Sequence, residues 1–475
     1  MYKREYEDKM KSILRDGCSH KTLRRDPTST LQQKNNNFVE ALFKQEIINK
    51  QEKQKMTNYT ATAPRLYGLP KIHKDNFPLR PICSSLNSPS HTLSKYIANI
   101  LKTLTESSKY NIKDTIEFKN RVNNTYIYDD EEMVSFDVVS LFPSIPVEFA
   151  IKKVDIQWDK IEKLTKMPKK LFMEILRFCV KENNYFIYDG TIYSQLKGMP
   201  MGSPISPIIA DIVMEAILDE FMSNIVHKPR LLTKYVDDIF AIVKKEEMDN
   251  TLNELNKCNR HLQFTKETEE EGSLPYLDTL LTKKNNIIKT DWYQKPTASG
   301  RLINFHSKHP KNVIFNTAKN FIRRVFSISD KVFHKYNRRR ITTTLKKNDF
   351  PPHTINHLLK AHSNNTSHTT ITTSSEPKLF KPITYVPGFS EKFKKSDIYN
   401  STNYTLALKT TNTLKSVHSK IKDKVNSLEK CDVVYNIECK GDESHICKKV
   451  YVGTTKSKLK TRLSAHKSDL KSKLT

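Results

Sequence analysis

Glycine is scarce in this chain of 475 residues, with ten in all, and tryptophan scarcer still, with two. That scarcity makes the pair at Gly198 and Gly202 conspicuous, because glycine lets a backbone approach a ligand closely. No stretch nears the ~18 apolar residues of a membrane span, and no membrane partner is expected. The opening MYKREYEDKM lacks the apolar core of a signal peptide. The seven cysteines are scattered: Cys18, Cys83, Cys179 and Cys258, then Cys431, Cys439 and Cys447 near the end. That spacing is no disulfide framework and favours a reducing compartment. Acidic residues are in deficit, 52 against 80 basic, for a net charge of +28. An excess this large points to a polyanionic partner, nucleic acid first. An anionic membrane surface fits less well, since no amphipathic basic helix stands out. No internal repeat is found.

What remains reads as a polar globular chain, 37% hydrophobic and 28% charged, with room for two or three domains. Residues 1–60 are charged and read as helical, with Phe38, Leu42 and Ile47 marking one face. From Pro64 the texture changes to RLYGLPKIHKDNFPLRPI, a basic hairpin lined by Arg65, Lys71, His73, Lys74 and Arg80. It suits a triphosphate and a template backbone, and equally a solvated loop. A helix near His91–Leu104 precedes a strand ending at Asp137, and Phe142 follows in DVVSLFPSIP. NYFIYDGTIYSQL reads as a hairpin turning at Asp189-Gly190. GMPMGSPISP then enters a helix, with Ser206 as cap, Pro207 in the first turn, and Ile208, Ile209, Ile212, Val213, Ala216 and Ile217 on one face.

At Leu231–Val243, LLTKYVDDIFAIV, two apolar β-prone runs flank Asp237 and Asp238. A bare Asp-Asp is more often a solvated turn. Its context favours chemistry: with Asp137 it makes three carboxylates from two strands, hard oxygen ligands for a pair of divalent ions. The order of elements fits an α+β sheet backed by helices on one face. Downstream, Leu274–Leu281 and Ile287–Gln294 read as a further hairpin. Residues 301–350 carry 13 Lys or Arg against two Asp, interleaved with phenylalanines. That is either a surface tracking a nucleic-acid backbone or a helix with core aromatics and solvated lysines. Residues 361–378, rich in Ser, Thr, His and Asn, read as a flexible linker, with a small basic module after it.

Taken in order, RLYGLPKIHK, PLRPI, SFDVVSLFPSIP, GMPMGSPISPIIAD, KYVDDIFAI, LPYLDTLL and WYQKPTASGRLINFHSKHP resemble the motifs of a reverse transcriptase, most closely that of Penelope-like retroelements. The resemblance implies a right-hand polymerase with an antiparallel palm sheet. Residues 1–60 would be an N-terminal extension, 61–295 fingers and palm, 296–350 a thumb-like basic region and 351–429 a linker. It implies a nuclear RNA-directed DNA polymerase using RNA template, DNA primer or target DNA, and deoxynucleoside triphosphates. Asp137, Asp237 and Asp238 would hold two Mg²⁺ ions. Lys71 and Arg80 would contact triphosphate, Phe142 would underlie the sugar and exclude a 2′-hydroxyl, and Gly202 would shape the floor. Tyr235, in KYVDD, joins them as a substrate-binding residue. Met201 departs from the glutamine many relatives carry.

Residues 430–475 resemble the front half of a GIY-YIG endonuclease, a partial α/β module. VVYNIEC and YVGTTKSKLKTRLSAH supply Tyr435, Tyr451, Gly453, Arg462 and His466 at that family's positions. Cys439, Cys447 and His466 would give part of a zinc site; plain thiols are the alternative. Val433-Val434 replaces the family's Gly-Ile, and the metal-binding glutamate of a later helix is not reached, so no competent nuclease is expected. The N-terminus reads as clipped by comparison with the family.

Overall fold

A computed structural model describes the chain apart from residues 16, 18, 73, 107, 366–378, 397–398, 400–403, 412–424, 440–446, 448 and 472–475. His73 and much of the expected 361–378 linker therefore lie outside the described residues.

The elements run α1 (Lys3–Leu14), β1 (His20–Thr22), α2 (Thr28–Lys44), α3 (Lys50–Met56), β2 (Arg65–Pro70), β3 (Leu79–Ser84), α4 (His91–Glu106), α5 (Thr115–Val122) and β4 (Glu131–Val138). Next come α6 (Leu141–Ser144), α7 (Val147–Ile156), α8 (Trp158–Ile161), α9 (Lys169–Arg177), β5 (Tyr185–Tyr188), β6 (Thr191–Gln195), α10 (Ser206–Asn224), β7 (Leu231–Tyr235), β8 (Asp238–Lys244) and α11 (Met248–Cys258). The strands β9 (Phe264–Thr268), β10 (Ser273–Tyr276), β11 (Thr279–Lys284) and β12 (Ile287–Trp292) lead to α12 (Lys311–Ile328), α13 (His334–Lys347) and α14 (Pro352–Asn365). The tail holds β13 (Leu379–Thr384), α15 (Phe389–Phe393), β14 (Tyr404–Lys409), β15 (Val433–Glu438), β16 (Val450–Thr455) and α16 (Leu459–Lys471). No described helix is long and apolar enough to cross a membrane.

The chain is α+β, with largely antiparallel sheets. The central one has the order β7-β8-β4-β9. β8 explains why it is central. Ile239, Ala241 and Val243 point into the main core, while Phe240 and Ile242 enter a second core with Phe118, Tyr276 and Leu281. Successive strand residues face opposite sides, so an unbroken apolar run means a strand covered on both. β4 divides the same way: Val134, Phe136 and Val138 join the main core and Met133 the second.

The Asp189-Gly190 hairpin forms as the sequence implied, with φ of 46° and 75° at its two turn residues. It does not join the central sheet. It belongs to a five-stranded sheet, β1-β6-β5-β2-β3, together with the basic hairpin β2–β3 and the short strand β1 from the stretch expected to be helical. Leu274–Leu281 is likewise not one strand. Leu277, at φ 55°, turns it into β10 and β11 of a three-stranded sheet with β12. Ser206 is the first residue of α10, whose cap position is Ile205, and its hydroxyl is buried without a partner.

The helical unit that begins at α12 runs past the expected boundary at residue 350. In α14, Ile355, Leu358 and Leu359 complete one hydrophobic core with Ile314, Ile322, Ile341 and Leu345 of α12 and α13. The expected 351–429 linker also contains α15 and the parallel pair β13–β14.

A polar seam holds the Asp237 hairpin to α10. Asp211, Glu215 and Asp219 recur every fourth residue, on one helix face. Lys234 of β7, wholly buried, reaches Asp211 at 2.8 Å and the Asn111 side-chain carbonyl. Asn111 Nδ2 donates to Glu215 at 3.2 Å, and Tyr110 Oη donates to Asp219 at 3.0 Å. Removing one partner of a buried ion pair strands the other, typically at about 3–5 kcal/mol. Asp211→Ala is therefore expected to destabilise the chain by about 3 kcal/mol in denaturant titration, and Asp211→Leu with Lys234→Met to restore most of the loss. Equal destabilisation by the single and double variants would show that the seam is not an ion-pair device.

Candidate active site

The pairing Phe136↔Ile239 leaves Asp137 and Asp238 as the next residues of β4 and β8. By strand alternation Asp137 shares a face with Met133, and Asp238 with Phe240 and Ile242, so both carboxylates emerge on the face away from the main core. Tyr235↔Asp238 closes the hairpin through Val236 and Asp237. Val236 has φ 57°, a strained conformation for a β-branched residue. Its side chain packs on the main core, which with the Lys234 seam holds the turn in place.

The three charges act on one another. Burial raises the proton affinity of Asp237; Asp137 raises it further, and Arg80 opposes. Burial pushes Asp238 up to about 6, reinforced by Asp237, Asp137 and Glu267 and opposed by Lys295. Both are what desolvation and like charge do to carboxylates. Among the described residues no group of three His, Cys, Asp or Glu side chains is arranged to hold a metal ion by itself. The aspartates are thus close neighbours and not a closed cage. Their hard oxygens suit Mg²⁺, which keeps several waters and is usually bound by one or two carboxylates plus substrate phosphates.

The basic hairpin lies within electrostatic reach of these carboxylates. Burial lowers the pKa of Lys71; Arg80 and Lys74 lower it further, and the charge of Asp137 raises it. Lys71 therefore feels Asp137, as Asp237 feels Arg80: the charges of the basic hairpin and of the aspartates act on one another. Phe142 is half-buried against the main core, and its carbonyl accepts from Met199 N at 2.7 Å. Tyr235, beside the turn, is 38% exposed.

At Gly202, expected to shape the floor of the site, what approaches is the chain itself. At φ 115°, an added Cβ would collide with the Cys83 carbonyl oxygen of β3. Cys83 N donates to Met201 O at 2.7 Å and Ser85 Oγ to Gly202 O at 2.8 Å, stitching the loop to the basic hairpin. Gly198 does the same toward α6, where a Cβ would lie 2.5 Å from Pro143 O. These glycines allow backbone contact between elements.

Three residues beside the aspartates escaped the sequence reading. Tyr276 Oη donates to the Asp238 carbonyl at 2.9 Å. Lys295 and Glu267 set opposing charges near the Asp238 carboxylate. Tyr276 and Lys295 fall within LPYLDTLL and WYQKPTASG, motifs that were legible although their partners were not.

In the tail, Tyr435 pairs with Gly453 across β15–β16, and its Oη meets His466 Nε2 at 2.6 Å. Arg462 Nε donates to the same Oη at 3.2 Å, and the Tyr451 and His466 rings lie 5.4 Å apart. A Cβ on Gly453 would meet the Tyr435 ring at 2.7 Å, so glycine makes room for the tyrosine. All five residues assigned to the nuclease-like module come together. The zinc set does not: no three-ligand group exists among the described residues, and His466 Nε2 is engaged with Tyr435. Among the described residues no cysteine is in a disulfide; Cys439 is exposed and Cys447 half-buried.

Residues 72–269 match the reverse transcriptase (RNA-dependent DNA polymerase) family. Residues 301–360, covering α12 and α13 and most of α14, match the animal helix-turn-helix domain. No curated protein matches the chain. Among solved structures, telomerase from Candida albicans in complex with a TWJ fragment of telomeric RNA is 11% identical over 76% of this chain and 61% of its own, with a TM-score of 0.46. Apo telomerase from Candida tropicalis is 13% identical over 74% and 66%, with a TM-score of 0.39. The Sicinivirus 3Dpol RNA-dependent RNA polymerase is 10% identical over 67% of each chain, with a TM-score of 0.42. The chain thus spans about three fifths of the Candida albicans telomerase it matches.

The folded chain holds the Asp238 proton more tightly than the unfolded chain, whose value is near 3.8. That contribution to stability is complete below the unfolded value and lost as pH rises through about 6. In chelator-treated buffer, Asp238→Asn is therefore expected to melt above wild type at pH 7–8 and level with it below about pH 4. A melting difference that does not change with pH would contradict the burial and crowding assigned to Asp238.

Proposed function

We propose that this chain is the RNA-directed DNA polymerase of a Penelope-like retroelement, extending a DNA 3′ end on an RNA template in the nucleus. The observation that carries the reading is the placing of Asp137 and Asp238 side by side at the ends of β4 and β8 with Asp237 in the adjoining turn, where the charges of Lys71 and Arg80 act on them. A triphosphate needs cations on its oxygens, and its reacting end needs carboxylates to hold metal. Asp137 and Asp237 would hold two Mg²⁺ ions with Asp238 beside them, supplying the Lewis acidity that activates a 3′-hydroxyl and neutralises the departing pyrophosphate. Lys71 and Arg80 bind and orient the triphosphate, and the loop from Gly198 to Ile205 supports the base pair. Phe142 presents the edge its core packing leaves exposed to the sugar and leaves no room for a 2′-hydroxyl.

Primer extension on an RNA template with Mg²⁺ tests this. Asp237→Asn is expected to lower the rate by at least about 10³-fold, the scale of losing a charge-stabilising group. Equal extension by wild type and variant would end the polymerase assignment and favour a second reading, a decayed or repurposed copy that binds nucleic acid without catalysis. Phe142→Val is expected to retain extension and to raise ribonucleotide incorporation by at least about tenfold, a change of ~1.4 kcal/mol in discrimination. Unchanged discrimination would make Phe142 a core aromatic only.

The tail supports a second, narrower reading. The Tyr435–His466–Arg462 cluster resembles the phosphate-facing half of a GIY-YIG nuclease. We propose that it contacts DNA without cutting it. Metal-dependent nicking that is lost in Arg462→Ala and kept in Asp237→Asn would instead make the tail an active nuclease.

A further inference from the structure

The N-terminal helix α1 has no part in the polymerase reading, yet it is seated on the basic hairpin. Tyr6, Met10, Ile13 and Leu14 recur at helical spacing on one side of it and enter a hydrophobic core with Leu66, Leu79 and Cys83 of β2 and β3. The seat is close. A Cβ on Gly68 of β2 would lie 2.8 Å from Met10 Sδ and 3.0 Å from Leu79 Cβ, so glycine there lets the helix rest on the strand. Tyr6 Oη accepts from Gly68 N at 2.7 Å. One turn further along α1, Lys9 Nζ donates to the Asn76 carbonyl and approaches that of Phe77 at 3.5 Å. Glu5 steadies that lysine from the preceding turn at 3.0 Å.

The hairpin needs such a hold. β3 is the outer strand of its sheet, and β2 meets β5 through the single pair Arg65↔Ile187. Farther out, Lys71 N donates to Pro78 O at 2.9 Å to close the hairpin, and the turn beyond runs through Asn76 at φ 58° and Phe77 at φ 44°. A bulky residue at positive φ is strained and persists only where its surroundings fix it. Phe77 is 48% exposed, so burial in a core does not supply that hold. Lys9 supplies it from outside the turn, on the carbonyls of the same two residues. Like charge adds to the load, because Arg80 and Lys74 both repel Lys71. We infer that α1 braces the basic hairpin in its triphosphate-binding form, with Tyr6 and Lys9 as positioning residues that act through Lys71 and Arg80. On the polymerase reading, on which this rests, the N-terminal helix thereby sets the affinity for deoxynucleoside triphosphate.

Single-nucleotide incorporation by the full chain, on an RNA template with a DNA primer and Mg²⁺, tests the brace. The variant Tyr6→Phe/Lys9→Met removes the two hydrogen-bonding groups and keeps the apolar seat. It is expected to raise KM for the deoxynucleotide at least about fivefold, while kcat and the Kd for template–primer change less than about twofold. A helix that only stabilised the fold would instead lower kcat with the fraction of active enzyme and leave KM where it was. Hydrogen exchange in EDTA, without nucleotide, reads the hairpin with no catalytic step. The Gly68 and Lys71 amides are expected to exchange at least about tenfold faster in the variant than in wild type. Wild-type extension with KM unmoved in the variant, or equal exchange at Gly68 and Lys71 in the two proteins, would overturn the brace alone. A wild type that does not extend primers would overturn the polymerase reading and the triphosphate role of α1 together.

Discussion

A lysine with no exposed surface fixes the hairpin on which the candidate site depends. Lys234 crosses from β7 to Asp211 of α10 and takes in Asn111 on the way. Three residues on, the chain turns through a valine with positive φ and presents Asp237. A strained turn persists only when its surroundings over-determine it. Here the surroundings are a buried ion pair under β7, core packing on Val236 and the full ladder between β8 and β4. Each works against the tendency of adjacent carboxylates to move apart.

The two sheets divide the chemistry by charge. The central sheet contributes carboxylates that repel one another and are partly desolvated, which raises their proton affinity. The five-stranded sheet contributes Lys71 and Arg80, crowded cations whose mutual repulsion Asp137 relieves. The proposed substrate, a triphosphate with metal ions bound to it, would answer both groups. The loop between Gly198 and Ile205 ties the five-stranded sheet to α6, because its glycines let its backbone touch β3 and α6 directly.

Local signals in the sequence told most of this. Asp189-Gly190 marks a hairpin because a two-residue turn needs both residues at positive φ, and the split cores of β8 are visible in its unbroken apolar run. Which sheet a hairpin joins is a different kind of fact. β5 meets β2 through one parallel register pair, Arg65↔Ile187, which no local pattern encodes. The Lys234–Asp211 pair was hidden for the same reason, since its partners lie 23 residues apart. The helix α14 was legible and was missed. Ile355, Leu358 and Leu359 have helical spacing, but Pro351, Pro352 and the polar tract after them suggested a linker. Ser206 shows the opposite failure, a good capping residue placed one position too far into the helix.

The central claim is that Asp137 and Asp237 act together on one substrate-bound pair of divalent ions. Anomalous diffraction from crystals grown with Mn²⁺, an RNA–DNA template–primer and a non-hydrolysable deoxynucleotide addresses it directly. The account expects two peaks within coordination distance, about 2.0–2.4 Å, of oxygens from both carboxylates and from the triphosphate. An ordered triphosphate with its metal peaks away from Asp137 or Asp237 would contradict it.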